Sequence, residues 1–427
     1  MNQKMSHSKI ALLGLQHMFA MFGATILVPL LSGLSVQTTL ISVGVGTLIF
    51  HLLTKGKIPA FLGSSFAFLV GIQLITDPYT GLFAGTDIPM EYRLAYATGG
   101  ILVSGFVYLI FAGIVKIIGA KKFMELVPPT VTAPTVILIG IMLAPFAISQ
   151  SSNNLILAVA TLAIVIIASS YGKGIIKLTP ILLGIGGAYI LALIMHSIGM
   201  TNPDGTAILD FTAASQANVI GLPNIMLPRF NIVAIIIMIP FAIATISEHL
   251  GDIVALGTIT GKDFIEEPGL TRTLLGDGIA SMFSGFIGGP ASTTYGENVG
   301  VVALTKIFNP RVVMMAAIYA TVLGFSPFVA QIIYSVPTAI VGGASFMLYG
   351  MIAAVGIRNL VEAKVDVSKT KNLTIIAIML VTGLGLRFGP RITFMLGTTE
   401  IPIDRLGIAI AVVLGVILNL ILPNEKE

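Results

Sequence analysis

The chain has 427 residues, of which 56% are hydrophobic and 10% charged, with a mean hydropathy of +0.99. A soluble domain carries about 25% charged residues, so one soluble core is excluded and the class is a polytopic membrane protein. The net charge of +4 carries no nucleic-acid signal, and the absence of cysteine excludes disulfides and thiolate metal sites.

Taken in chain order, the first apolar run covers residues 11–31. It is long enough to span, and no small-residue cleavage site follows a shorter apolar region, so it is expected to stay in the protein. A helix needs about 20 apolar residues to cross the hydrocarbon core. Stretches 36–54, 93–118, 130–148, 154–170, 178–199, 231–259, 271–288, 311–335, 337–357, 372–388 and 406–422 meet or approach that length. Two further segments are irregular. They are Ile58–Thr76, IPAFLGSSFAFLVGIQLIT, and Pro290–Thr305, PASTTYGENVGVVALT. Each begins with or near proline and places hydroxyl residues and an aromatic where a helix should be most apolar. Counting both predicts fourteen spans.

Lysine and arginine favour the cytoplasmic side. With the N-terminus inside and fourteen alternating spans, eighteen of the 23 fall inside, from Lys4 and Lys9 to Lys426. Arg93, Arg229, Arg387, Arg391 and Arg405 fall outside. Removing either irregular segment reverses every later loop and spoils the asymmetry, so both are expected to cross. The irregular segments also point to a repeat. LQHMFAMFGA (Leu15–Ala24) opens the first span and SEHLGDIVAL (Ser247–Leu256) lies in the eighth; GSSFAF is in the third and STTYGENVG in the tenth. His17 to His249 is 232 residues, and Phe66 to Tyr295 is 229. Seven is odd, so two seven-span halves lie inverted, and matching interrupted segments in inverted halves mark a transporter site near the midplane.

Four acids fall inside spans: Glu248, Asp252, Asp277 and Glu297. An ionisable group at the bilayer centre costs at least ~2.5–3.5 kcal/mol, so it normally faces a cavity or a partner. Glu248 and Asp252 are four apart and share a helix face. Two such carboxylates tend to hold one proton between them, which suits proton coupling. The competing reading places acids at interfacial helix ends, and it has more force for Asp252 and Asp277 than for Glu248 or Glu297. His17 is equally a core histidine bonded to a neighbouring helix. Phe66 and Tyr295 are packing residues unless the backbone beside them is unwound. GSSFAF and ASTTYG read as extended, and ENVGVVALTK as a short helix. Non-helical backbone at membrane depth is tolerated where protein or a water-filled cavity satisfies it. Its free N–H groups, the half-helix N-terminus, the close approach allowed at Gly296 and the carboxylates together suit a small planar ligand with alternating C=O and N–H groups. A nucleobase is such a ligand, and a simple anion fits less well beside two carboxylates.

Glu297–Lys306, ENVGVVALTK, matches the nucleobase/ascorbate transporter signature [QENP]-N-x-G-x4-T-[RKG] at every fixed position. Gln16–His17 matches a second motif, and LGSSFAF and SEHLGD resemble the family's third and eighth spans. The chain is therefore identified as resembling that family over essentially its whole length. It is most like the uracil permeases, which share TTYGEN and GSSFAF; purine-transporting relatives typically carry Gln at the place of Glu297. The resemblance implies an all-α fold of fourteen spans in two inverted seven-span repeats, with short paired strands in spans 3 and 10. It implies a core built from 1–122 (spans 1–4) and 231–335 (spans 8–11), and a gate from 123–230 (spans 5–7) and 336–427 (spans 12–14). It assigns substrate binding to Phe66, Ser65, Glu248, Tyr295, Gly296 and Glu297, with Gln16, His17 and Asn298 in support. Proton coupling falls to Glu248 and Asp252. Asp252 stands where the enterobacterial uracil permease has His, so a role given to that His does not carry over directly.

The expected function is uracil:proton symport across the cytoplasmic membrane by alternating access, with both termini cytoplasmic. No enzyme activity, cofactor, metal or nucleic-acid partner is expected. Relatives act as dimers, so a homodimer through the gate is compatible with the resemblance, although the gate helices carry no motif for it. The alternatives are a purine permease or anion carrier of the same architecture, a passive channel, and a membrane-embedded enzyme. Five histidines without HExxH, and no cysteine, disfavour the last.

Overall fold

The computed structural model describes residues 5–126, 128–396 and 399–423. Lys4 and Lys426, counted above on the inside, lie outside them. Among the described residues nine helices are long and apolar enough to cross a membrane, and a bent pair makes a tenth. Shorter helices and extended stretches complete fourteen segments.

Spans 1 and 2 are His7–Ser32 and Val36–Leu53. Gly33, at φ 78°, closes span 1 in the left-handed conformation, and the Ser35 hydroxyl caps span 2. Span 3 is extended up to strand β1 (Leu62–Ser64), then helical over Ala67–Thr76. Spans 4 to 7 are Met90–Ile118, Pro129–Ser151, Leu155–Tyr171 and Pro180–Ser197. Spans 8 and 9 are Ile232–Thr260 and Leu270–Phe286. Span 10 repeats the design of span 3, with β2 (Ser292–Thr294) followed by the helix Gly296–Thr305. Spans 12 to 14 are Thr338–Glu362, Thr370–Phe388 and Gly407–Ile421.

Span 11 departs from expectation. The predicted continuous helix over 311–335 is two helices, Pro310–Gly324 and Pro327–Tyr334, bent by 86°. The cause lies in Gly324-Phe325-Ser326-Pro327. Proline lacks the N–H needed inside a helix and is favoured at a first helical position. The Ser326 hydroxyl accepts from Val329 N at 3.4 Å and starts the second helix. Its partner by repeat, span 4, is one helix of 29 residues.

Packing pairs the two halves. Span 4 lies on span 9, span 2 on spans 9 and 11, and span 1 on span 11. Span 12 packs on spans 5 and 6, span 6 on span 7, and span 13 on span 14. The long connection 198–231 crosses the face opposite the termini, where Gly221 N donates to Phe325 O and Arg229 N to Ala95 O, each at 2.9 Å. The Arg229 guanidinium lies 3.8 Å over the Tyr92 ring. A hairpin of β3 (Thr393–Leu396) and β4 (Thr399–Pro402) joins spans 13 and 14 on that face.

Candidate functional site

Ten helical residues rise about 15 Å, half of the roughly 30 Å hydrocarbon core. The helices of spans 3 and 10 are each ten residues long, so each starts near the middle of the membrane. They approach from opposite faces, and both N-termini point inward. β1 and β2 pair antiparallel between them, with Leu62 opposite Thr294, Gly63 opposite Thr293 and Ser64 opposite Ser292. Ser65 N donates to Ala291 O at 2.8 Å, and Tyr295 N to Phe61 O at 3.2 Å. The two-stranded bridge thus satisfies the extended backbone that lipid would leave unpaired.

No side chain caps either half-helix; the residues at the two starts are Phe66 and Tyr295. First-turn N–H groups without caps are donors awaiting a partner, and the helix dipoles add positive partial charge there. Glu297 lies in the first turn of span 10. Gly296 is exposed and Phe66 and Glu297 are part-exposed, although all sit at membrane depth. Span 8 brings up Glu248, exposed in mid-helix, and Asp252 one turn on. Glu248 lies within electrostatic reach of Glu297. A Cβ at Gly296 would stand 3.8 Å from Asp252 Oδ1. Donors from two helix ends and carboxylates from spans 8 and 10 therefore converge on one opening.

The other predicted residues sit behind it. Tyr295 is buried, and its hydroxyl donates to Ser64 O at 2.9 Å. Ser65 is buried with its hydroxyl unpaired. Their side chains face the protein interior. Asn298 donates from Nδ2 to Pro59 O at 2.8 Å, tying the span 10 half-helix to the chain entering β1. His17 is buried within reach of Asn298, and Gln16 is half-buried beside it on span 1. Gly63 has a packing reason: a Cβ there would fall 2.1 Å from Tyr295 Cζ. Gly63→Ala is therefore expected to displace the Tyr295 ring, unpair the strands and abolish transport. Adding Tyr295→Ala should restore part of it, and both are read by uptake at matched membrane abundance.

Sequence reasoning did not single out His249. Its Nδ1 lies 2.9 Å from Asp277 Oδ2, and neither side chain is exposed. Thr293 Oγ1 donates to the same carboxylate oxygen at 3.3 Å, and Thr294 Oγ1 is 3.4 Å from His249 Nδ1. Phe50 meets the imidazole edge-on at 6.3 Å. Asp277 is thus an interior residue holding strand β2 and not an interfacial helix end. The one available signal was the repeat position that His249 shares with His17.

A family model described as "Permease family" matches residues 8–392. The chain belongs to this family. The permease is 37% identical to a probable uracil permease of Pasteurella multocida, over 99% of this chain and 95% of that one. It is 38% identical to a uracil permease of Bacillus subtilis, over 97% and 92%. A uracil permease of Escherichia coli is 35% identical over 96% and 90%. Among solved structures, the transmembrane domain of the cyanobacterial bicarbonate transporter BicA superposes with a TM-score of 0.64 at 14% identity, covering 98% of both chains. SLC26A9 gives 0.66 at 14% identity, over 96% of this chain and 65% of that one. These likenesses place the permease in the seven-plus-seven inverted-repeat fold. It is a multi-pass membrane transporter and not an enzyme.

Proposed function

We propose that the permease imports uracil across the cytoplasmic membrane in symport with protons. The observation carrying this reading is the meeting, at mid-membrane, of two uncapped half-helix starts with Glu248, Asp252 and Glu297. Uracil has two carbonyls and two N–H groups in one plane. Its carbonyls match the backbone donors near Phe66 and Gly296, its N–H groups match Glu248 and Glu297, and the Phe66 ring covers its face. Relatives named uracil permease at 35–38% identity support the choice of base. Ser65, Tyr295, Gln16, His17 and Asn298 hold this arrangement in place.

The coupling proton binds at Glu248, helped by Asp252, because adjacent carboxylates in a water-poor site share a proton. Spans 1–4 and 8–11 form the moving core, and spans 5–7 and 12–14 the gate. The lysine bias supports a cytoplasmic position for both termini. The face of span 6 that exposes Ile156, Val159, Ile166 and Ile167 supports a gate-mediated homodimer, lipid being its other cover.

The test is uptake of labelled uracil into proteoliposomes with and without an inward proton gradient. Accumulation is expected only with the gradient, and should collapse with a protonophore and resist excess xanthine. Flux indifferent to the gradient overturns the symport. Competition by xanthine overturns the choice of base.

A further inference from the structure

We infer that Arg405 is an outer latch that holds the gate against the core and keeps the site open to the cytoplasm. The inference rests on the alternating-access reading above. Arg405 lies in the 3-10 turn Ile403–Leu406 that leads into span 14, and its side chain is buried. Its Nη1 donates to the carbonyl of Gly81, and Asp404 Oδ2 lies 3.9 Å from its Nε. Gly81 belongs to the loop that closes the outer end of the span 3 half-helix, the same half-helix that starts at Phe66.

That loop is rigid. Asp77 Oδ1 accepts from Tyr79 N at 2.8 Å and Thr80 N at 2.6 Å. Gly81 N donates to Asp77 O at 2.8 Å, and Leu82 N to Leu74 O at 2.7 Å. A Cβ on Gly81 would fall 2.3 Å from Asp77 O, so the turn is close-packed around a bare backbone. The charged groups facing the latch are Asp77 from the core, and Asp404, Arg387 and Arg391 from the gate. The bond therefore joins a gate helix to the far end of the substrate-binding half-helix.

Exposure along span 8 agrees. On the face carrying Glu248, Ala244 and Ile237 toward the outer side are each 2% exposed, and Phe241 between them packs on Phe68 of the core. Toward the inner side, Asp252, Ala255 and Ile259 on that face are part-exposed. The Ile403–Leu406 turn packs against span 8 as well as holding Gly81. Outer closure and the latch thus occur in one place. A hydrogen bond from a charged group is worth more than a neutral one, so its loss should shift the balance toward an outward-open state.

The chain has no cysteine, so Ala244→Cys introduces the sole thiol. The measurement is its labelling, from the outside of intact cells, by a membrane-impermeant maleimide. In the Arg405→Met background labelling should quicken at least about tenfold, the order of one charge-assisted hydrogen bond. Arg405→Lys, which can still donate to the Gly81 carbonyl, should stay within about threefold of the parent. Asp77→Asn keeps its turn-capping oxygen and removes one charge facing the latch, and should give an increase of about two- to threefold. It remains readable if Arg405→Met fails to insert. A cysteine at Ala97, buried within span 4, should stay unlabelled throughout; its labelling would mean general loosening and overturn the latch. Unchanged labelling at position 244 in both Arg405→Met and Asp77→Asn also overturns it. Labelling needs no substrate, so an error in the choice of uracil leaves the outcome intact.

Discussion

Glu248→Gln is expected to abolish accumulation of uracil against its gradient while leaving binding within about tenfold of the parent. The two effects separate because the substitution keeps shape and one acceptor oxygen but removes the titrating group. A lost hydrogen bond to a neutral partner costs about 0.5–1.5 kcal/mol, which is at most roughly tenfold in affinity. A lost coupling group removes the link to the proton gradient altogether. Glu248 is the candidate because it is exposed to the opening in mid-span, and because Asp252, one turn on, and Glu297 give it two acidic neighbours. Glu297→Gln should behave oppositely. It lies at the start of the span 10 half-helix, where a carboxylate both accepts from the ligand and answers the helix dipole. Its loss should weaken binding more than coupling. Uracil binding by calorimetry, paired with gradient-driven uptake in proteoliposomes, reads both quantities. Full accumulation by Glu248→Gln would move the coupling proton elsewhere and sink the assignment.

Much of this site was legible in the amino-acid order because a membrane restricts what a chain can do. Any crossing segment needs a fixed apolar length, so the spans could be counted. An interrupted crossing needs a partner for its backbone, so the prolines and hydroxyls around Gly63 and Ser292 marked the extended breaks, while their pairing as strands came from the family resemblance. Glu248 and Glu297 stood out because carboxylates are costly at that depth. The 86° break in span 11 was hidden by the same rule. Phe325 and its neighbours keep the run apolar, so a length criterion counts one helix, and Ser326-Pro327 looks like a tolerated interruption. The partnership of His249 with Asp277 was hidden for a different reason. The two lie in different spans, and only the packing of spans 8 and 9 on β2 brings them within 2.9 Å. Likewise, nothing in the sequence near Gly81 announces that an arginine more than three hundred residues later will reach its carbonyl.

The His249–Asp277 pair should carry the largest single stability term near the site. Both side chains are fully buried, and breaking a buried pair by removing one partner costs about 3–5 kcal/mol, since the other is left without compensation. His249→Ala leaves Asp277 Oδ2 to the Thr293 hydroxyl at 3.3 Å, and should lower the melting temperature in detergent sharply. Asp277→Asn retains an acceptor for the imidazole and should cost less, about 1–3 kcal/mol. Replacing both with leucine removes the stranded charge and the stranded donor together, so the double variant should be more stable than His249→Ala. Transport should not return with it, because Thr293 and Thr294 lose the partners that fix β2, and β2 sets the position of Gly296 and Glu297. A His249→Ala protein that melts with the parent would remove the pair from the list of supports. A double leucine variant that regains transport as well as stability would show that the strand bridge, the Ser281 hydroxyl bonds to Ser292 and the Asn298 bond to Pro59 suffice to hold β2.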